Sequence, residues 1–187
     1  MAGIRTFIAV DVPEDVKERI GELQNELRRF PGRLTWTRAQ GIHVTLKFLG
    51  NVPPEQIDAI EAAVRRAASG KAKPHLRVAG TGAFPNWRRP RVLWVGLEDV
   101  DGVLGSVQKA VEEELGRLGF QPEGRAFTPH LTLARVKVPA SVGEIVQRLR
   151  GMEFDAGEFD VEEVLVMRSD LKPSGAEYMP LRRVPIG

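Results

Sequence analysis

At 187 residues the chain is long enough to bury a sizeable core as one domain or as two close-packed lobes. Its make-up, 42% hydrophobic and 28% charged, is that of a globular protein, and no apolar run reaches the length of a membrane helix. With no cysteine at all, disulfides, thiolate metal sites and cysteine nucleophiles are excluded.

The formal net charge is only +2, yet a pI of about 9.1 admits an anionic partner wherever the basic residues cluster. The N-terminus enters an alternating pattern at once, with no basic region and apolar stretch ahead of a cleavage site. A cytoplasmic, monomeric protein with no membrane association is expected.

Arg5 to Val10 alternates as a strand, and Asp11-Val12-Pro13 turns into a helix striped by Val16, Ile20, Leu23, Leu27 and Phe30, which Pro31-Gly32 stops. Leu34 to Thr37 predicts a short strand and Ile42 to Leu49 a longer one, closed by Gly50. Pro53-Pro54 opens a second helix with Ile57, Ile60, Val64 and Ala67 on one side, and Leu76 to Ala79 reads as a strand. The prolines of Phe84 to Arg91 disfavour helix and central strand alike, so this stretch is read as the connection between halves.

Val92 to Val95 predicts a strand, and Leu104, Val107, Val111, Leu115 and Leu118 stripe a third helix ended by Gly119. After an irregular Gln121 to Pro129 comes a strand from His130, then a shorter helix begun by Pro139 and carrying Val142, Ile145 and Leu149. Val164 to Ser169 and Tyr178 to Arg182 predict two tail strands joined by a turn over Lys172 to Gly175.

Laid end to end, the halves repeat: strand, long amphipathic helix, link, motif strand, shorter helix, further strand. The expected fold is therefore α+β and bilobal: two pseudo-twofold-related lobes of antiparallel sheet with helices outside and a central cleft. We read residues 1–187 as one two-lobed catalytic domain, with approximate halves 1–84 and 91–187 joined by 85–90, and with room for the tail strands to pair across lobes. No Gly-rich loop follows the first strand, so a nucleotide-binding doubly wound fold is disfavoured.

Two of the three histidines open one pattern, His-apolar-Thr-apolar: His43-Val44-Thr45-Leu46 and His130-Leu131-Thr132-Leu133. On a strand this sends His and Thr to one face and the apolar pair to the other. One such copy reads most simply as a half-buried strand histidine without chemistry; two copies at equivalent points of a repeat point to a site. Imidazole, with an unperturbed pKa of about 6.5, acts as acid or base near neutrality, so a facing pair can take one proton and give another. That division suits displacement at phosphorus without a metal, with the threonine hydroxyls donating to phosphate oxygens. The third histidine, His75, lacks a threonine at the same offset and is read as structural.

Three further residues depend on strand direction. Lys47 shares the parity of His43 and Thr45 and stands either in the cleft or on a solvated edge. Phe48 joins the core unless the strand's end exposes it to stack on a base. Arg135 faces away from His130 unless the strand ends or bulges after Leu133. Trp87-Arg88-Arg89-Pro90-Arg91 is either a solvated linker or an RNA grip built from an aromatic and guanidinium groups.

Trp36-Thr37-Arg38, His43 to Gly50, and Phe127-Thr128-Pro129-His130 through Arg135, with Ser169 and Tyr178 in the tail, closely resemble the two-histidine (2H) phosphoesterases, and within them the RNA 2′,3′-cyclic phosphodiesterases, also called 2′-5′ RNA ligases. The resemblance implies hydrolysis of RNA 2′,3′-cyclic phosphate ends, tRNA fragments among them, to 2′-phosphomonoesters, with no cofactor and no metal. It implies His43 as proton donor, His130 as proton acceptor, Thr45 and Thr132 as phosphate holders, and Arg135 at a basic position after the second motif; Lys47, Phe48 and Thr128 join Arg135 as candidate substrate-binding residues. The alternatives are 2′-5′ RNA ligation in the same site and a non-catalytic RNA-end-binding module. A metallohydrolase ranks last, because two histidines with no adjacent carboxylate make a poor ligand set.

Overall fold

The computed structural model describes residues 2–187. β1 (Ile4–Asp11) sends Ile8 and Val10 into the main core and Phe7 and Ala9 to the opposite face, as alternation requires. α1 (Glu14–Leu27) buries Val16, Ile20, Leu23 and Leu27, with Pro13 capping it in extended geometry; Phe30 lies past its end, against the core. There follow β2 (Leu34–Trp36), β3 (His43–Val52), α2 (Ile57–Ala68), β4 (His75–Phe84), β5 (Val92–Asp99), α3 (Val103–Gly116), β6 (His130–Val136), α4 (Gly143–Arg150), β7 (Asp155–Asp160), β8 (Glu163–Lys172) and β9 (Gly175–Pro185). Of these, β7 has no counterpart in the sequence reading. Its Asp-Ala-Gly-Glu-Phe-Asp lacks the β-branched alternation of a strand, and it forms because it lies on the edge of a sheet, paired only to β4.

Both sheets are antiparallel: β3-β1-β8-β9 and β2-β6-β5-β4-β7. The α+β architecture expected from the repeat is thus present, and the two orders correspond strand for strand, β3-β1-β8-β9 with β6-β5-β4-β7. Sheet membership, however, does not follow the chain halves 1–84 and 91–187. β2 and β4 of the first half belong to the five-stranded sheet, and the tail strands β8 and β9 complete the four-stranded one. The short connection after Phe84 makes β4 and β5 a hairpin, which places β4 beside its successor rather than its predecessors.

The long helices cross over as well. α1 leaves β1 but packs on β7 and α4, over the five-stranded sheet, whereas α3 leaves β5 and packs on α2 and β3, over the four-stranded sheet. The apolar stripes of all four helices merge with the inner faces of both sheets into one core, and Phe7, Ala9, Leu165 and Met167 form a second small cluster on the opposite face of the four-stranded sheet, under Tyr178. No helix among the described residues is long and apolar enough to cross a membrane.

Candidate active site

Each motif histidine is the first residue of its strand, and both are held in the same way. His43 Nδ1 lies 2.7 Å from the carbonyl oxygen of Gly41, and His130 Nδ1 lies 2.8 Å from that of Thr128. A carbonyl can only accept, so Nδ1 carries the hydrogen in both rings and Nε2 is left for the cleft. Thr128, expected to bind substrate, also orients His130 through its backbone.

Aromatic neighbours set the rings. His43 lies between Phe7 and the edge of Tyr178, each centroid 4.8 Å away. Tyr178 also packs over Gly41, where a Cβ would stand a tight 3.1 Å from the phenol ring. On the other strand Phe84 meets His130 edge-on at 4.9 Å, with Trp94 at 6.1 Å. Trp94 in turn lies over Gly82, where a Cβ would fall 2.0 Å from the indole. Burial lowers the pKa of His43, opposed by the Gly41 carbonyl and by the charge of Asp11, its cross-strand partner.

After the threonine both strands bulge. In β3, Ala9 pairs with Thr45 and Ile8 with Lys47, so Leu46 is the extra residue; in β6, Trp94 pairs with Thr132 and Leu93 with Ala134, so Leu133 is extra. A bulge reverses the side-chain alternation beyond it. Lys47 therefore follows Ile8 toward the core side and is 5% exposed, its Nζ 2.8 Å from both Glu112 Oε2 and the Gln121 carbonyl. Its charge is taken up by Glu112, and it tethers the start of the loop that carries Arg125, Phe127 and Thr128; Lys47, expected to bind substrate, also lines the groove beside the cleft. Phe48, expected in the core unless the strand's end exposes it, pairs with Phe7 and is 49% exposed, with the Arg5 guanidinium 4.5 Å from its ring centre. Arg135 meets the condition set for it, since the bulge at Leu133 brings it to the face of His130 and Thr132.

These turns assemble one cavity of about 100 Å³ whose walls include His43, Thr45, His130, Thr132, Arg135 and Tyr178. Thr45 and His130 also border a wider groove of about 630 Å³, in which Phe48, Phe84 and Phe127 supply apolar walls and Arg91 and Arg125 supply charge. Of the basic linker, only Arg91 reaches this groove; Trp87 packs against the core, and the Asn86 side chain caps the backbone N–H groups of Arg88 and Arg89. Sequence reasoning misses Arg125, because a lone arginine in an irregular stretch carries no periodicity.

His75 stands apart from the cleft residues, exposed between Asp160 at 2.7 Å and Glu158 at 2.9 Å, and hydrogen bonds to these carboxylates raise its pKa. No group of three or more His, Asp or Glu side chains that could hold a metal ion occurs among the described residues.

Comparison with known proteins agrees with the repeat. The family model for LigT like phosphoesterases matches twice in succession, over residues 10–94 and 95–178. The chain is 33% identical over 178 residues to the RNA 2′,3′-cyclic phosphodiesterase of Methanothermobacter thermautotrophicus, covering 94% of this chain and 95% of that one. It is 36% identical over 185 residues to the protein of the same name from Thermus thermophilus, covering 96% and 89%. Among solved structures, TT0787 of Thermus thermophilus superposes with a TM-score of 0.82 at 32% identity over 97% of both chains. Escherichia coli LigT complexed with 3′-AMP superposes with a TM-score of 0.77 at 25% identity over 98% of both. With the family pattern matched on each half, and each half bringing one His-apolar-Thr-apolar strand to a shared cavity, the chain belongs to the LigT-like 2H phosphoesterase family.

Proposed function

We propose that the protein hydrolyses RNA 2′,3′-cyclic phosphate ends to 2′-phosphomonoesters, without a metal, by paired acid and base catalysis. The observation that carries this reading is the cavity in which two imidazoles, each anchored through Nδ1, meet two threonines and Arg135. The names of the relatives point to the same substrate.

In the proposed reaction His130 Nε2 takes a proton from water as its oxygen bonds to phosphorus. The bond from phosphorus to the 3′ oxygen breaks, and His43 Nε2–H protonates that leaving oxygen. The Thr45 and Thr132 hydroxyls and the Arg135 guanidinium offset the charge growing on the non-bridging oxygens. Burial opposes the protonated state of His43 that this role needs. An anionic phosphate beside the ring favours that state, so substrate binding itself primes the acid.

Incubation with a 2′,3′-cyclic nucleotide in EDTA, followed by digestion with a 2′-specific or 3′-specific phosphatase, tests the proposal. A 2′-phosphate product is expected; a 3′-phosphate product, or loss of turnover on chelation, rejects it.

A further inference from the structure

A bulge takes its extra residue out of the regular ladder, and the backbone groups freed there need other partners. Both bulges find the same kind of partner. Gln24, on α1 and only 3% exposed, donates from Nε2 to the Leu133 carbonyl at 3.0 Å and to the Thr37 carbonyl at 2.7 Å. Gln108, on α3, donates from Nε2 to the Leu46 carbonyl at 3.3 Å. Leu133 and Leu46 are the residues bulged directly after the two motif threonines, and α1 and α3 are the two helices that cross from one sheet to the other. The equivalent bulges thus share one kind of partner, an amide from the corresponding helix though not from the corresponding residue of it, with the closer contacts on the strand that carries Arg135.

We infer that Gln24 is a positioning residue for phosphate binding: by gripping the Leu133 carbonyl it holds the bulge in the form that aims Arg135 into the cavity. Gln24 touches none of the reacting atoms. Its amide sits among carbonyls that only a donor can satisfy, and removing it frees the segment between Thr132 and Arg135 to relax toward plain alternation, which turns Arg135 outward. Gln108 holds the equivalent bulge in front of Phe48, so it governs an apolar side chain rather than a charged one.

The inference rests on the cavity being the phosphate site of the proposed function, and a binding experiment separates the two. The affinity for inorganic phosphate is read from the histidine ring protons by NMR in wild type, Gln24→Met, Arg135→Ala and the double variant. Gln24→Met should weaken phosphate about five- to tenfold, the scale of one hydrogen bond, and should have no further effect once Arg135 is alanine. Gln108→Met should leave phosphate affinity within about twofold. Equal losses from Gln24→Met in both backgrounds, no loss in either, or an equal loss in Gln108→Met would overturn the inference, because an amide that only supports stability does not act through Arg135. Should Gln24→Met fail to fold by circular dichroism, Gln24→Asn, a neutral side chain whose amide is one methylene short of the Leu133 carbonyl, is read in the same cycle. A wild type that binds phosphate but turns over no cyclic nucleotide rejects the proposed reaction and leaves this cycle to decide Gln24.

Discussion

The strands carrying His43 and His130 match in backbone and diverge in side chains. Both begin at the histidine, anchor Nδ1 on the carbonyl two residues before it, and bulge directly after the threonine. At the two positions after the bulge, β3 has Lys47 and Phe48 where β6 has Ala134 and Arg135. The inward position is a buried ion pair in one and a packed methyl in the other; the cleft position is an apolar ring in one and a guanidinium in the other. Duplication thus supplies a symmetric frame that sets the two histidines alike. The cleft position after each bulge then differs, with charge on the His130 side and apolar surface on the His43 side.

The largest effect should come from what the strands share. His43→Ala and His130→Ala are each expected to lower kcat by about a thousandfold, within the range of general acid or base catalysis, with circular dichroism unchanged. If either variant retained full activity, the symmetric frame would not be the catalytic one.

The differences come next. Arg135→Ala should reduce kcat/KM by about tenfold to a hundredfold, the range for a hydrogen bond to a charged group. Phe48→Ala should cost only a few-fold, chiefly in KM for a nucleotide and not for inorganic phosphate. Comparable losses in the two variants would erase the asymmetry. At the inward position Lys47→Met leaves Glu112 without its cation, so unfolding in urea should show a loss of about 3 kcal/mol, whereas Ala134→Gly should cost about 1 kcal/mol.

The smallest and sharpest measurement is the titration of His43. In the free protein its ring should lose its proton at lower pH than an ordinary imidazole, because burial disfavours the charged form, and bound inorganic phosphate should raise that point. The linked stability has a definite sign: the contribution from the neutral ring is present above the ordinary imidazole value and is lost as pH falls through the lowered one. An unmoved His43 signal in the phosphate titration would place the anion elsewhere.

Local pattern alone suffices for the four amphipathic helices, most strands, the duplicated unit and the facing His-Thr pairs. Each of these follows from a periodicity of two or 3.6 within a few consecutive residues, as with Val16, Ile20, Leu23 and Leu27 or with His43 and Thr45. Strand parity leaves Lys47, Phe48 and Arg135 open, because a bulge is a relation between two strands and a third partner. Leu46 and Leu133 look like any apolar strand residue until Ala9, Trp94, Gln24 and Gln108 come beside them from distant parts of the chain. The exchange of β4 and β8 between the sheets, the polar edge strand β7 and the approach of Tyr178 to Gly41 are long-range in the same way. Which groups are available for chemistry is written residue by residue, in side-chain identity and local period. Which way the flanking side chains point is settled in the folded chain alone, since it depends on register and on hydrogen bonds made across the fold.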